Sequence, residues 1–153
     1  MFRGLYEHTI DAKGRTSFPA RFREALVDQG EPGTKTVKHM ILTTGIDRCL
    51  VAYTPAGWDA FEARLKALPQ FDPAVVQLKR IYVAGATECE IDGHGRLLVP
   101  PMLREYAALK RDVVWAGMVE KIELWARELW NAQVALESTD RQAIARALGE
   151  LGL

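Results

Sequence analysis

The chain of 153 residues is 48% hydrophobic and 26% charged, which is typical of one compact domain or two very small ones. Its longest apolar runs, such as residues 97–103 and 113–119, are too short to cross a bilayer, which argues against a membrane-spanning helix. The 20 basic and 20 acidic residues give zero net charge, so any binding to nucleic acid requires basic groups gathered on one face.

The first part of the chain is predicted to form a β-rich unit. Asp11 and Gly14 occupy the first and fourth positions preferred in a type I turn, and Phe22 and Leu26 lie four residues apart, as on one helix face. In chain order the unit contains a strand at 7–10, a turn at 11–14, a strand at 16–18, a short helix opened by Pro19, a polar loop at 28–35 and a β-rich run at 40–53 with a Gly-centred turn.

Two connecting helices are predicted next. Thr54 can cap the first helix, with Pro55 at its first position, and Asp72 with Pro73 repeats that start signal. Gly85 stands where a helix-ending glycine is expected. The apolar stripe of the first helix is predicted to consist of Trp58, Phe61, Leu65 and Leu68.

The remaining elements repeat this order. They are a strand at 88–91, a turn at 92–95, a strand at 97–99, a helix opened by Pro100, a β-rich run at 112–125 with a Gly-centred turn, a helix containing Trp130 and Val134, and a final helix capped within 138–140 and ending near Leu151.

The repetition extends to residue identity. Shifted by 81 residues, nine of the 21 positions from 4 to 24 are identical, and they are Gly4, Glu7, Ile10, Asp11, Gly14, Arg15, Pro19, Arg23 and Glu24. From Gly45, which matches Gly117, the offset becomes 72, so the polar loop at 28–35 accounts for about nine extra residues. Because one copy is too small to hold a core alone, the two copies are predicted to pack on each other.

The duplicated motif Asp-x-x-Gly-Arg is the predicted functional site. Arg15 and Arg96 each follow a tight turn, and a guanidinium with five donors suits a phosphate or a guanine edge. Asp11 and Asp92 are placed either to hold these guanidinium groups or to serve the turns alone. Turn chemistry explains the return of Asp and Gly, but it does not require Arg in both copies.

An enzyme and a protein-binding scaffold are the two alternatives to DNA binding. Asp92 and His94 are close enough in sequence for acid–base chemistry, but the chain has no nucleophile elbow, P-loop, GxGxxG or metal-ligand spacing, so we expect no enzyme activity. Alternatively, the exposed arginines of a ring-forming scaffold would contact acidic protein surfaces. Cys49 and Cys89 lack a paired spacing and are predicted to be buried rather than bridged or metal-binding, so no cofactor is expected.

At these residues the sequence resembles the MraZ family of bacterial regulators. The resemblance is carried by Met1-Phe2-Arg3-Gly4, by Asp11-Ala12-Lys13-Gly14-Arg15 with the run 18–23, by Asp92-Gly93-His94-Gly95-Arg96, and by Lys121-Ile122-Glu123-Leu124-Trp125. It covers nearly the whole chain, in order, with both copies present.

The resemblance implies an α+β fold of two tandem swapped-hairpin modules of the SpoVT–AbrB type, forming an intramolecular pseudo-dimer barrel with flanking helices. It divides the chain into module 1 at 5–54, connecting helices at 55–82, module 2 at 83–126 and C-terminal helices at 127–153. It also implies a homo-oligomeric ring in the cytoplasm, associated with the nucleoid. Such a ring would regulate its own operon, the division and cell-wall cluster, by binding short G-rich direct repeats in double-stranded promoter DNA.

The family's motif carries over onto both turns, with two departures. The predicted DNA-binding residues are Asp11, Lys13, Arg15, Asp92, His94 and Arg96. Thr16 and Ser17 are more polar than the aliphatic pair usual after the first arginine. His94 replaces the lysine of the first turn, so the second turn is expected to hold phosphate less firmly at neutral pH.

Overall fold

The computed structural model describes residues 1–28, 38–135 and 140–153, and these residues form an α+β structure. The strands are β1 (Phe2–Thr9), β2 (Arg15–Ser17), β3 (His39–Thr44), β4 (Leu50–Tyr53), β5 (Thr87–Glu90), β6 (Arg96–Leu98), β7 (Asp112–Val119) and β8 (Ile122–Ala126). The helices are α1 (Ala20–Asp28), α2 (Pro55–Lys66), α3 (Pro73–Leu78), which continues as a π-helical turn at Lys79–Val83, α4 (Pro101–Tyr106), α5 (Arg127–Val134) and α6 (Arg141–Glu150).

The two copies exchange strands. The main sheet is antiparallel with the order β1-β7-β8-β4-β3-β5, so β1 of the first copy pairs with β7 of the second, and β5 of the second pairs with β3 of the first. The two shortest strands, β2 and β6, form a separate antiparallel ribbon. If each strand is replaced by its equivalent in the other copy (β1 by β5, β7 by β3, β8 by β4), the sheet has the same order read from the opposite edge. This symmetry is expected for two related copies.

The predicted barrel differs from the observed arrangement, because the two sheets do not close into one ladder within the described residues. The chain bends sharply after β1 and after β5, and each bend retains a single bridge, Ile10 to Thr16 and Ile91 to Leu97. The ribbon of β2 and β6 is therefore a separate sheet, and β1 and β5 remain edge strands of the six-stranded one.

Apolar side chains cover both faces of the main sheet. One cluster joins the sheet to the ribbon and the short helices, with Phe18 packed edge-on to Trp115 at 5.3 Å and Phe22 fully buried. The second cluster lies under α2, the π-helical turn and α5, with Trp58, Tyr82 and Trp125 as its large members. Burial on both faces explains why β4 is apolar at every position rather than alternating.

The predicted helix starts are confirmed. Thr54 Oγ1 accepts a hydrogen bond from the N–H of Gly57 at 2.9 Å, and Asp72 Oδ1 accepts one from Ala74 at 2.8 Å. Asp140 caps α6 in the same way, through the N–H of Ala143. The predicted loop at 28–35 lies almost wholly outside the described residues, as do Ser138 and Thr139.

Three details of the prediction were wrong. Leu68 is exposed, because α2 already ends at Lys66. Gly85 does not take the left-handed conformation of a helix-ending glycine. Instead α3 runs into its π-helical turn, whose carbonyl groups at Ile81 and Tyr82 accept hydrogen bonds from Thr44 and Thr43.

The third error concerns Gly117, which lies inside β7 opposite Gly4 rather than in a turn. The turn of this hairpin is formed by residues 119–121, where Val119 takes a positive φ of 70° and the N–H of Met118 bonds the carbonyl of Lys121.

Both cysteines are free and buried, which confirms the prediction made for them. Burial raises the pKa of the Cys49 thiol to about 12, with the nearby Glu123 carboxylate adding to the effect. Burial also raises the pKa of the Cys89 thiol to about 11. Within the described residues, no helix combines the length and the apolar character that a membrane crossing requires.

Candidate nucleic-acid interface

The two Asp-x-x-Gly-Arg turns have the same geometry. Asp11 Oδ1 accepts hydrogen bonds from the N–H groups of Lys13 and Arg15, both at 2.9 Å, and its Oδ2 accepts Arg15 Nε at 2.8 Å. In the second turn, the carboxylate of Asp92 accepts the N–H groups of His94 and Arg96 at 2.9 Å and Arg96 Nε at 3.0 Å. Each aspartate therefore both builds its turn and orients its arginine.

The aspartates keep their charge over a wide pH range. The backbone N–H of Arg15 donates to Asp11 and lowers the pKa of that carboxyl below its usual value, and the Arg15 side chain lowers it further. The N–H of Arg96 lowers the pKa of Asp92 in the same way. Each carboxylate therefore holds its arginine from neutral pH down to below the ordinary aspartate pKa, and releases it only in stronger acid.

The arginines remain available to a ligand. Each guanidinium is anchored through Nε alone, and within the described residues neither Arg15 nor Arg96 donates from its Nη atoms to another group. Both side chains are 37% exposed. A planar guanidinium that is held through Nε can still donate from its two Nη atoms. This geometry is suited to recognising a phosphate or a guanine edge.

The ribbon brings the two arginines to one surface. Arg15 pairs with Leu98 and Arg96 pairs with Ser17, and residues that face each other in an antiparallel pair project to the same side. These four residues share the outer side, whereas Thr16 and Leu97 project into the core. Arg15 and Arg96 are diagonal neighbours, so their backbones lie about 7–8 Å apart.

Strand exchange adds basic residues from the opposite copy to each turn. Arg104 lies against Gly14, where its Nε donates to the carbonyl of Val99 at 3.1 Å and its Nη1 to that of Ala12 at 3.4 Å. The guanidinium of Arg23 packs over Gly95 in the equivalent place. Both glycines take a positive φ, 89° at Gly14 and 73° at Gly95, which other residues rarely adopt, and at Gly14 a Cβ would also lie 2.8 Å from the backbone oxygen of Val99.

A further basic residue enters beside each turn. The carbonyl of Lys38 accepts the N–H of Ile91 at 2.7 Å, and Lys38 lines a cleft of about 330 Å³ together with Arg23 and Asp92. At the first turn the carbonyl of Arg111 accepts the N–H of Ile10 at 2.8 Å. The sites assembled in this way are Lys13, Arg15, Arg104 and Arg111 at the first turn, and His94, Arg96, Arg23 and Lys38 at the second.

The six predicted residues thus form two groups of three, one at each end of the β2–β6 ribbon, and four basic residues that were not predicted lie beside them. Arg23 and Arg104 were visible as identities in the repeat, but their location depends on strand exchange. Lys38 and Arg111 are 73 residues apart, which equals neither repeat offset of 81 or 72, so the repeat did not align them with each other. Basic residues gathered beside the ribbon are what nucleic-acid binding would require of a chain without net charge.

The geometry argues against the acid–base reading of Asp92 and His94. The Asp92 carboxylate already accepts three hydrogen bonds, and its lowered pKa makes it a weak base at neutral pH. Among the described residues, no three His, Cys, Asp or Glu side chains come together as a metal site would require.

Comparison with known proteins agrees with the duplicated geometry. The family model described as "MraZ protein" matches the chain twice, over residues 1–81 and 82–150. The chain belongs to the MraZ family. Three full-length relatives carry the name Transcriptional regulator MraZ, and in each case the alignment covers 100% of both chains. They are 42% identical in Desulfitobacterium hafniense (strain Y51), 39% in Thermoanaerobacter sp. (strain X514) and 39% in Acetivibrio thermocellus.

Membership of the MraZ family confirms the resemblance drawn from the residues and the division into two tandem regions. The exact bounds predicted for the modules and helices stay a prediction, since each sheet contains strands of both MraZ copies. The assignment of the six turn residues to DNA also stays a prediction.

Proposed function

We propose that this MraZ-family chain is a transcription regulator that binds double-stranded promoter DNA through the outer face of the β2–β6 ribbon. The observation that carries the proposal is the pair of exposed guanidinium groups, Arg15 and Arg96, each held by its own aspartate on one face. The name Transcriptional regulator, which the full-length relatives bear, supports the same function.

The dimensions of the ribbon suit the major groove. Two paired strands lie about 4.8 Å apart, and a two-stranded ribbon with its side chains fits a groove about 12 Å wide. Arg15 and Arg96 would read base edges, most favourably the O6 and N7 atoms of guanine. The surrounding Arg23, Lys38 and Arg111 would contact phosphates and fix the position of the ribbon.

The finer proposal concerns the DNA site. Each chain contributes one ribbon, so short direct repeats would be read by several chains in a homo-oligomeric ring, one repeat to a chain. The ring would act in the cytoplasm, at the nucleoid, on the promoter of its own division and cell-wall operon. The resemblance and the small number of basic residues per ribbon support this arrangement, because several ribbons together gain affinity through multivalency.

Arginine substitutions test the proposal. Arg15→Ala and Arg96→Ala should each weaken binding to the DNA upstream of the gene by about 1–3 kcal/mol, measured by fluorescence anisotropy, because each removes a bidentate base contact. Binding to unrelated DNA should fall less. Lys38→Ala should instead weaken binding to both DNAs alike, because a phosphate contact carries no sequence information.

Arg64→Ala is the matched control, since it removes the same charge from α2, on the opposite face of the main sheet, where Arg64 pairs with exposed Glu120. It should leave affinity unchanged. If the Arg15 and Arg96 double variant keeps its circular dichroism spectrum and still binds the upstream DNA with full affinity, the ribbon is not the DNA-binding surface.

A further inference from the structure

The outer face of the β2–β6 ribbon carries an exposed leucine beside its arginines. Leu98 is 55% exposed, and it belongs to neither of the apolar clusters formed by the described residues. It lies directly opposite Arg15 across the ribbon, and Ser17 lies directly opposite Arg96. The four side chains therefore form a small grid, in which the two arginines occupy one diagonal and Leu98 and Ser17 occupy the other.

The fold does not require a leucine at this position. Ser17 and Leu98 are equivalent residues, 81 apart in the repeat, and they end strands of the same length with the same burial pattern. A serine occupies the position in the first copy, so neither strand pairing nor the core explains the leucine in the second. The apolar surface of Leu98 is thus available to a ligand that the neighbouring arginines bind.

The chemistry of the major groove indicates what such a leucine contacts. Among the four bases, thymine alone presents an apolar group there, its C5-methyl, and apolar side chains recognise it. Residues directly opposite each other in an antiparallel pair lie about 5 Å apart, and neighbouring base pairs are stacked about 3.4 Å apart. With Arg15 on a guanine, Leu98 would therefore reach the adjacent base pair.

We propose that Leu98 is a specificity-determining residue, which contacts the C5-methyl group of a thymine next to the guanine bound by Arg15. The inference deepens the proposed DNA binding and rests on it. Ser17 offers a hydroxyl at the equivalent place beside Arg96, so the two halves of the ribbon read different base pairs. The ribbon then binds its site in one orientation, which a set of direct repeats requires of every chain.

Removing the methyl groups alone tests the contact. The DNA upstream of the gene is amplified with deoxyuridine in place of thymidine, which keeps every base pair and removes only the C5-methyl groups. The full chain should bind this uracil-containing DNA at least about fourfold more weakly, because burial of one methyl group corresponds to about this factor in affinity. Fluorescence anisotropy on the two DNAs measures both dissociation constants.

Leu98→Ala separates the contact from effects of the methyl groups on the shape of the duplex, since those effects act on both chains alike. The variant should bind the thymine-containing DNA about fourfold more weakly than the parent chain, and uracil should change its affinity by less than about twofold. Leu68→Ala is the matched control, because it makes the same change just beyond α2, which covers the opposite face of the main sheet. It should keep the full uracil effect.

Leu98→Ser keeps the test independent of folding. It places at residue 98 the side chain that the equivalent position of the first copy already holds, so the variant should retain the circular dichroism spectrum of the parent chain. It should also lose the uracil effect. Single uracil substitutions in the upstream DNA should then assign the loss seen with the parent chain to a thymine that adjoins a guanine.

An equal uracil effect in the parent chain and in Leu98→Ala would overturn the proposal, and so would the absence of any effect in the parent chain. The two proposals fail in different ways. If uracil has no effect while Arg15→Ala still weakens binding, the methyl contact fails and the ribbon remains the DNA-binding surface. If the Arg15 and Arg96 double variant binds the upstream DNA with full affinity, both proposals fail.

Discussion

At the scale of single residues, the outer and inner faces of the ribbon differ in hydrogen bonding. Several donors on the outer face have acceptors, whereas one buried hydroxyl on the inner face has no partner among the described residues. Asp11 satisfies three donors on the outer face. Thr16, on the inner face opposite Leu97, is 1% exposed, and its hydroxyl has no hydrogen-bond partner among the described residues. A buried hydroxyl without a partner costs free energy that an apolar side chain of the same shape avoids.

Thr16→Val is therefore expected to raise the free energy of unfolding by about 1 kcal/mol, measured by urea denaturation. Thr43→Val is the matched control, because Thr43 is equally buried but its hydroxyl donates to the carbonyl of Tyr82 at 2.5 Å. That substitution should lower stability by about 1 kcal/mol. Equal losses in both variants would show that the hydroxyl of Thr16 is satisfied in solution.

Individual residues were the most predictable part of this chain. Asp11 and Gly14 predict their turn because each position of a type I turn has its own chemistry. The polar Thr16 raised a question about burial that the sequence did not resolve, since a strand of three residues takes its inner and outer sides from its partner. That partner, β6, belongs to the other copy.

At the scale of elements, β1 is held in place by close backbone contact. A Cβ at Gly117 of β7 would lie 2.5 Å from the backbone nitrogen of Arg3 and 2.7 Å from the carbonyl carbon of Phe2. Backbone atoms cannot rotate aside as a side chain would, so β1 and β7 would have to separate at this pair. The turn predicted at this glycine was wrong because the sequence does not show which strand lies beside it.

Gly117→Ala is expected to lower the free energy of unfolding by about 2–3 kcal/mol, because it forces two paired strands apart. Gly93→Ala serves as the control, since a Cβ there would meet nothing within 4 Å and the residue does not take a left-handed φ. Its effect should stay within about 0.5 kcal/mol. If both variants unfold at the same urea concentration as the parent chain, the close approach of β1 to β7 is not rigid.

Helix starts were predictable and helix ends were not. Thr54 and Asp72 cap their helices by local hydrogen bonds that the sequence displays directly. The π-helical end of α3 instead depends on Thr43 and Thr44, which lie about forty residues away. Their hydroxyl groups donate hydrogen bonds to the carbonyl groups of this turn. Such a termination is determined by tertiary contacts rather than by the local residues.

At the scale of the whole molecule, strand exchange creates both the core and the candidate site. The repeat predicted that the two copies pack together, but it did not show which strands cross. For that reason the repeat showed that Arg23 and Arg104 are equivalent, but it did not show that each lies beside the turn of the other copy. Each turn of the ribbon is completed by the opposite copy, so folding and the proposed DNA recognition depend on the same exchange.

This dependence predicts how the separated halves behave. Within the described residues, β3–β4 and β7–β8 are the only strand pairs formed inside one copy, and all other pairs join the two copies. Residues 1–85 and 86–153, expressed separately, should therefore be folded only while paired with the other half or with a second copy of themselves. Dilution should unfold either half, because a two-stranded hairpin is marginal in water.

Circular dichroism at decreasing protein concentration measures this behaviour. The intact chain is the control and should keep its spectrum on dilution, because the connection between the copies makes their association intramolecular, at an effective concentration on the order of millimolar. Mixing the two halves should restore the spectrum of the intact chain at concentrations where each alone is unfolded. A half that remains folded as a dilute monomer would show that one copy holds a core by itself, and strand exchange would then not be what stabilises the molecule.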